Sequence, residues 1–64
     1  MTRNQVIKKI GNPHLSLFAG KGYFYFVFTG YNYAQHSVMV PYLNDLSLDR
    51  WVDEGKTFLQ EIGQ

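Results

Sequence analysis

Residues 20–29, Gly-Lys-Gly-Tyr-Phe-Tyr-Phe-Val-Phe-Thr, constrain the fold most, because they put aromatic side chains on both faces of one β-strand. The two-residue period of a strand sends three phenylalanines to one face: Phe24, Phe26 and Phe28. The opposite face receives Tyr23, Tyr25 and Val27. A chain of 64 residues builds a single hydrophobic core. One of these faces therefore belongs to the core, and the other is predicted to be aromatic surface.

Amphipathic patterns place a helix near each end of the chain. Thr2 followed by Gln5 is typical of a capping box, and Gly11 ends the first helix. In residues 48–62, apolar residues recur at helical spacing behind an N-cap supplied by Ser47 or Asp45. The residues on this apolar face are Leu48, Trp51, Val52, Gly55, Phe58, Leu59 and Ile62. We expect the helix backbone to approach the sheet at the glycine of this face; the alternative is that Gly55 breaks the helix in two.

Two further strands flank the aromatic strand. Alternation predicts them at residues 14–18 and 36–40, separated from the aromatic strand by a glycine-rich turn at 19–22 and by a loop at 30–35. The order is then α-β-β-β-α. We predict one compact α+β domain over residues 1–64, with a three-stranded antiparallel meander and two helices on one face.

The uncovered face of this sheet is the candidate binding surface. Because both helices share one face, the other is predicted to present Phe18, Tyr23, Tyr25, Val27 and Met39. Each aromatic side chain buries about 150–250 Å² when covered. Such a patch approaches the few hundred Å² that monomers seldom expose without a binding function. The alternative is that the loop at 30–35, with Tyr31 and Tyr33, folds over this face.

Residue types argue against an enzyme. The chain has no cysteine, which excludes a disulfide framework, a thiolate nucleophile and a cysteine-bearing zinc site. His14 and His36 have opposite parities, so we expect them on opposite faces, unable to share a proton or a metal. Asp49 and Asp53 share a helix face without a partner base. We therefore expect no catalytic residues, no metal and no cofactor.

The sequence also predicts a cytoplasmic protein. Its longest apolar run is far shorter than a membrane span, and residues 1–10 lack the apolar region of a signal peptide. We expect no membrane partner.

Charge is distributed unevenly along the chain. Residues 1–44 contain four basic residues and no acidic residue, whereas residues 45–64 contain five acidic and two basic residues. Such asymmetry can steer a charged partner, or it can simply describe two solvated surfaces. The candidate electrostatic contacts are Lys8, Lys9, Lys21, Asp49, Asp53 and Glu54.

Part of the aromatic strand resembles a nucleic-acid-binding motif. Residues 21–28, Lys-Gly-Tyr-Phe-Tyr-Phe-Val-Phe, are similar to the RNP1 signature of RNA-recognition and cold-shock domains. The resemblance implies that Tyr23 and Tyr25 stack on bases, although Phe24 replaces the small residue expected between them. The element order is also similar to that of double-stranded-RNA-binding domains, but their basic residues at the start of the last helix are replaced here by acidic residues such as Asp49.

A second resemblance concerns biological context. Residues 20–26 (GKGYFYF), 37–40 (SVMV) and 43–51 (LNDLSLDRW) resemble a pattern in small proteins of phages and mobile elements. This resemblance implies a compact inhibitor of host defence, of the anti-CRISPR type, acting in the host cytoplasm.

Two function classes follow from these observations. The leading hypothesis is a non-enzymatic module that binds a larger host protein or complex, or a second copy of itself, through the uncovered sheet face. The alternative is a nucleic-acid binder that combines Tyr23 and Tyr25 with Lys8, Lys9 and Lys21.

Overall fold

The computed structural model describes residues 1–63 and has the element order α-β-β-β-α. Its elements are helix α1 (Arg3–Ile10), strands β1 (Leu15–Ala19), β2 (Phe24–Thr29) and β3 (Tyr33–Val38), a short 3-10 helix (Leu43–Asp45) and helix α2 (Leu48–Glu61). The strands form one antiparallel sheet with β2 in the centre. The predicted α+β fold class is confirmed.

Helix α1 is fixed at both ends by the predicted residues. The N–H of Gln5 donates to Thr2 Oγ1 at 3.2 Å, and the N–H of Thr2 donates to Gln5 Oε1 at 2.8 Å. These two bonds form the reciprocal capping box. At the other end, Gly11 adopts φ +82° and its N–H donates to the carbonyl of Ile7.

Helix α2 begins after Ser47, which resolves the choice between two N-caps. Ser47 Oγ accepts a hydrogen bond from the N–H of Arg50 at 3.1 Å. Asp45 instead accepts from the N–H of Tyr42 at 3.1 Å, one turn upstream. The helix is continuous through Gly55.

Both helices pack on the sheet face that carries the three phenylalanines. The Trp51 ring meets Phe24 and Phe26 edge-on, with centroids 5.4 and 6.2 Å apart, and Phe58 stacks on Phe26 at 6.4 Å. The buried indole N–H of Trp51 donates to the carbonyl of Leu43 at 2.7 Å. The predicted assignment of the core face is therefore correct.

Gly55 marks the closest approach of α2 to its neighbours. A Cβ built on Gly55 would lie 2.4 Å from Ile10 Cδ1 and 3.2 Å from Phe26 Cε1. The absence of a side chain thus lets the helix backbone approach the sheet, as the sequence pattern predicted, and also contact α1, which it did not predict.

The third strand begins earlier than predicted. Residues 33–35, assigned to a loop from the sequence, belong to β3, which pairs Tyr33 with Thr29 and Gln35 with Val27. The strand ends at Val38, because the N–H of Val40 donates to the carbonyl of Val38 at 2.9 Å in a tight turn. The covering loop is not formed, since its second half is strand and the ring of Tyr31 meets Phe28 edge-on at 6.5 Å.

Candidate functional site

The sheet face opposite the helices is called here the open face. The strand register places on it the side chains of Ser16, Phe18, Tyr25, Val27, Thr29, Tyr33, Gln35 and Ser37. None of these residues carries a charge. The face therefore combines aromatic rings with hydroxyl and amide groups.

Three aromatic side chains form a continuous row across β1 and β2: Phe18, Tyr25 and Tyr23. Phe18 is paired with Tyr25 in the register, and their ring centroids lie 5.6 Å apart at an interplanar angle of 31°. Tyr25 and Tyr23 lie 5.8 Å apart at 35°. Phe18 is 43% exposed, and both tyrosines are half-buried. The aromatic row is thus solvent-accessible and is held by contacts among its own rings.

The position of Tyr23 depends on the turn between β1 and β2. The N–H of Gly20 donates to the carbonyl of Tyr23 at 2.8 Å, and Gly22 adopts φ +82°. A Cβ built on Gly20 would lie 2.5 Å from Tyr23 Cζ. The tyrosine ring therefore lies directly against the backbone of Gly20, where no other residue leaves room for it.

Two predicted contact residues differ from expectation. Val27 lies on the open face but is only 7% exposed, because the centre of the sheet is crowded by its neighbours on both flanking strands. Met39 is 75% exposed but follows the end of β3. Since Val38 pairs with Phe24, Met39 lies at the end of the sheet where β2 begins, near the start of the aromatic row. Val27 is therefore packed among its neighbours on the open face, whereas Met39 is exposed at its end.

Sequence reasoning missed the contribution of β3 to the open face. Tyr33 is 68% exposed and accepts a hydrogen bond from Gln35 Nε2. Gln35 and Ser37 line a shallow depression together with Tyr23 and Tyr25. The alternation of residues 33, 35 and 37 after a short Gly-Tyr-Asn turn was the signal that could have found them.

The candidate basic contacts are divided between the two sides of the sheet. Lys8 and Lys9 lie on α1, in the helix layer, and Lys9 Nζ is 3.7 Å from Asp49 Oδ1 on α2. Lys21 lies in the turn beside Tyr23. Of these three lysines, Lys21 alone is placed at the end of the sheet that carries the aromatic row.

The candidate acidic contacts are also divided. Asp49 and Asp53 are exposed on α2. Glu54 is half-buried, with Oε2 3.2 Å from His36 Nε2 and Oε1 3.8 Å from an Arg50 nitrogen. Its carboxylate is therefore engaged within the fold and is not part of an exposed acidic strip.

The two histidines do not lie on opposite faces. The ring of His36 stacks against both Phe26 and Phe58, at centroid distances of 6.5 and 5.5 Å. His14 precedes β1, so strand alternation does not govern it, and its ring meets Phe28 edge-on at 6.1 Å. Both imidazoles thus contact phenylalanines of the helix-covered face. Within residues 1–63, no group of three or more acidic, histidine or cysteine side chains is arranged to hold a metal ion.

No helix in the described part of the chain has both the length and the apolar character needed to cross a membrane. Comparison with models of protein families, with curated proteins and with solved structures finds no match for this chain. The feature of the described residues that bears on function is the open face with its solvent-accessible aromatic row.

Proposed function

We propose that this protein is a non-enzymatic binding module that docks on a larger protein through the aromatic row. The observation that carries the proposal is the contiguous, solvent-accessible arrangement of Phe18, Tyr25 and Tyr23. Tyrosine and phenylalanine are enriched at protein interfaces because they give a large contact area for few rotatable bonds. Rings already ordered by mutual contacts lose little further entropy on binding.

The surroundings of the row favour a protein partner. The open face is uncharged, and serine and glutamine side chains border the rings. Aromatic anchors surrounded by neutral hydrogen-bonding groups are typical of protein-recognition surfaces. The exposed acidic residues of α2 lie in the helix layer, on the other side of the sheet.

The most specific form of this proposal is an inhibitor encoded by a phage or mobile element. It rests on the resemblance of residues 20–26, 37–40 and 43–51 to small proteins of such elements. Such a protein would act in the host cytoplasm, without catalysis, by occupying a surface of a host defence complex, as anti-CRISPR proteins do.

A capture experiment with matched variants tests the binding site. The immobilised protein is incubated with nuclease-treated host lysate and compared with a double variant of the row, Tyr23→Ala with Tyr25→Ala. The control removes two exposed tyrosines outside the open face, Tyr31→Ala with Tyr42→Ala. We expect the same partner to be captured by the parent and the control and to be lost from the row variant. Equal capture by both variants would exclude the aromatic row.

The alternative function is binding of single-stranded nucleic acid. It is favoured by the location of Tyr23 and Tyr25 on an open sheet face with Lys21 at its end, an arrangement suited to base stacking. Lys8 and Lys9, however, are separated from these rings by the sheet. Titration with a single-stranded oligonucleotide at increasing salt distinguishes the two functions, because phosphate contacts weaken steeply with salt. Tight, salt-sensitive binding that requires Tyr25 would replace the protein-binding proposal.

A further inference from the structure

Strand β1 is an edge strand whose outward backbone groups can be identified. The N–H of Thr29 donates to the carbonyl of His14, and the N–H of Gly20 donates to the carbonyl of Tyr23. In an antiparallel pair the hydrogen-bonded residues alternate, so Ser16 and Phe18 also direct their backbone groups toward β2. The N–H and C=O groups of Leu17 and Ala19 therefore point away from the sheet. Within residues 1–63, no backbone partner pairs with them.

This edge lacks the usual protection against strand addition. Natural edge strands are generally blocked by lysine, proline, a bulge or an inward charge. The sequence of β1, Leu-Ser-Leu-Phe-Ala, contains neither charge nor proline, and its register with β2 is uninterrupted over all five residues. The edge is thus a regular template for a further strand.

A groove runs beside the edge, between β1 and the first turns of α1. It is lined by Arg3, Asn4 and Ile7 on the helix and by Leu17 and Phe18 on the strand. Arg3 is the only charged residue in the lining, and no acidic side chain among the described residues pairs with it. The positive end of the α1 dipole adds to this field. The groove is therefore complementary to a carboxylate next to an apolar side chain.

We propose that an extended segment of the partner protein, carrying an aspartate or glutamate, adds to β1 as a fourth strand. This inference rests on the proposed protein-binding function and names the kind of partner segment. Its side chains would alternate between the two faces of the sheet. One set would continue the aromatic row beyond Phe18, while the other would enter the groove and place its carboxylate near Arg3.

Charge decides between this occupant and a second copy of the chain. Symmetric pairing of two β1 edges would put both α1 helices on the same side of the new sheet, along the seam. The two Arg3 side chains would then lie near each other across the seam, and the repulsion between their like charges opposes pairing. An acid-bearing segment meets the same groove with opposite charge.

The test starts from a displayed library of random peptides of about ten residues, long enough to span β1. Enriched peptides are synthesised and titrated by fluorescence polarisation. Ala19→Pro removes an outward N–H at an edge position where proline is tolerated, and Ala19→Val is its matched control. Arg3→Glu reverses the groove charge, and Lys8→Glu makes the same reversal elsewhere on α1. Thermal melts establish that each variant is folded.

We expect enriched peptides to carry an acidic residue and to lose affinity about tenfold or more with Ala19→Pro and with Arg3→Glu. The two controls should remain within about twofold of the parent. The amide of Leu17 should gain protection from hydrogen exchange in the complex. If Ala19→Pro does not fold, peptides methylated on alternate backbone nitrogens replace it, and they should lose binding to the parent protein.

Four results would overturn the proposal. The library returns no acid-bearing peptide; binding survives both Ala19→Pro and backbone methylation; Arg3→Glu and Lys8→Glu weaken binding equally; or the parent is a dimer that Ala19→Pro dissociates, which would assign the edge to a second copy. Peptides that require Tyr23 and Tyr25 but tolerate Ala19→Pro would exclude strand addition and still support binding through the aromatic row. The two proposals therefore fail separately.

Discussion

The two faces of β2 both carry aromatic residues but use them differently: Phe24, Phe26 and Phe28 lie on the helix-covered face, and Tyr25 lies on the open face. On the helix-covered face, Phe26 is fully buried and contacts three other rings, those of Trp51, Phe58 and His36. On the open face, Tyr25 contacts Phe18 and Tyr23 and remains accessible to solvent. The same side-chain chemistry thus stabilises the fold on one side and presents a binding surface on the other. What differs is whether a helix covers the rings.

The largest expected effect that tests this difference is the loss of Phe26. Phe26→Ala should lower the free energy of unfolding by about 3–5 kcal/mol, because it removes a fully buried ring and leaves a cavity beneath α2. Since small domains are stable by only about 5–15 kcal/mol, this change can unfold the protein. Denaturant unfolding followed by circular dichroism measures it.

Phe18→Ala is the matched control, since it makes the same chemical change on the open face. The half-exposed ring of Phe18 contacts Tyr25 but no element above it, so we expect a loss of about 1 kcal/mol. If Phe18→Ala destabilised the fold as much as Phe26→Ala, the open face would be part of the core, and the two faces would not differ in their contribution to stability.

Removing both tyrosines of the row should have an intermediate effect on stability. Tyr23→Ala with Tyr25→Ala is expected to lower the free energy of unfolding by about 1–2 kcal/mol, the value of the lost ring contacts. The variant should keep a cooperative melting transition while losing its partner. A melt without a cooperative transition would show that these rings hold the turn between β1 and β2 in place.

A smaller change displaces the ring of Tyr23 without removing it. Gly20→Ala puts a methyl group where the ring of Tyr23 now lies, 2.5 Å from Cζ, and should move the ring with a loss of stability below about 1 kcal/mol. Gly22→Ala meets no atom within 4 Å but is strained at φ +82°, by about 1–2 kcal/mol. We therefore expect Gly20→Ala to weaken partner binding more and Gly22→Ala to lower the melting temperature more. The reverse order would contradict the assigned role of Gly20.

Much of the fold was predictable because local signals agreed with tertiary packing. The capping box at Thr2, the N-cap at Ser47 and the apolar face of α2 around Gly55 each reflect local geometry that the fold preserves. The separation of Phe26 and Tyr25 onto opposite faces of the sheet followed from parity alone. Such periodic features are set by residues close in sequence, so the sequence reveals them directly.

The features that were missed depend on contacts between distant residues. Tyr33 joins the open face because β3 pairs with the far end of β2, and the alternation of residues 33, 35 and 37 becomes decisive only with that pairing. Val27 is buried by neighbours on two other strands. The contact between His36 and Glu54 joins β3 to α2 across 18 positions. Contacts of this kind cannot be predicted from the residue period of a single strand or helix, because they form only in the assembled fold.

The smallest expected effect on stability concerns the exposed acidic residues of helix α2. Asp49 and Asp53 are exposed on α2, and Asp49 makes a single exposed contact with Lys9, while Glu54 is engaged by His36. Asp49→Lys with Asp53→Lys should leave the melting temperature nearly unchanged, because exposed ion pairs contribute little to the free energy of unfolding.

If these carboxylates occupy phosphate positions on a basic groove of the partner, the same variant should slow association markedly at low salt, as measured by stopped-flow mixing. Lys56→Glu, a reversal of opposite sign on the same helix, should not slow it. An unchanged association rate would remove the acidic residues from the interface and leave the open sheet and its edge as the binding surface.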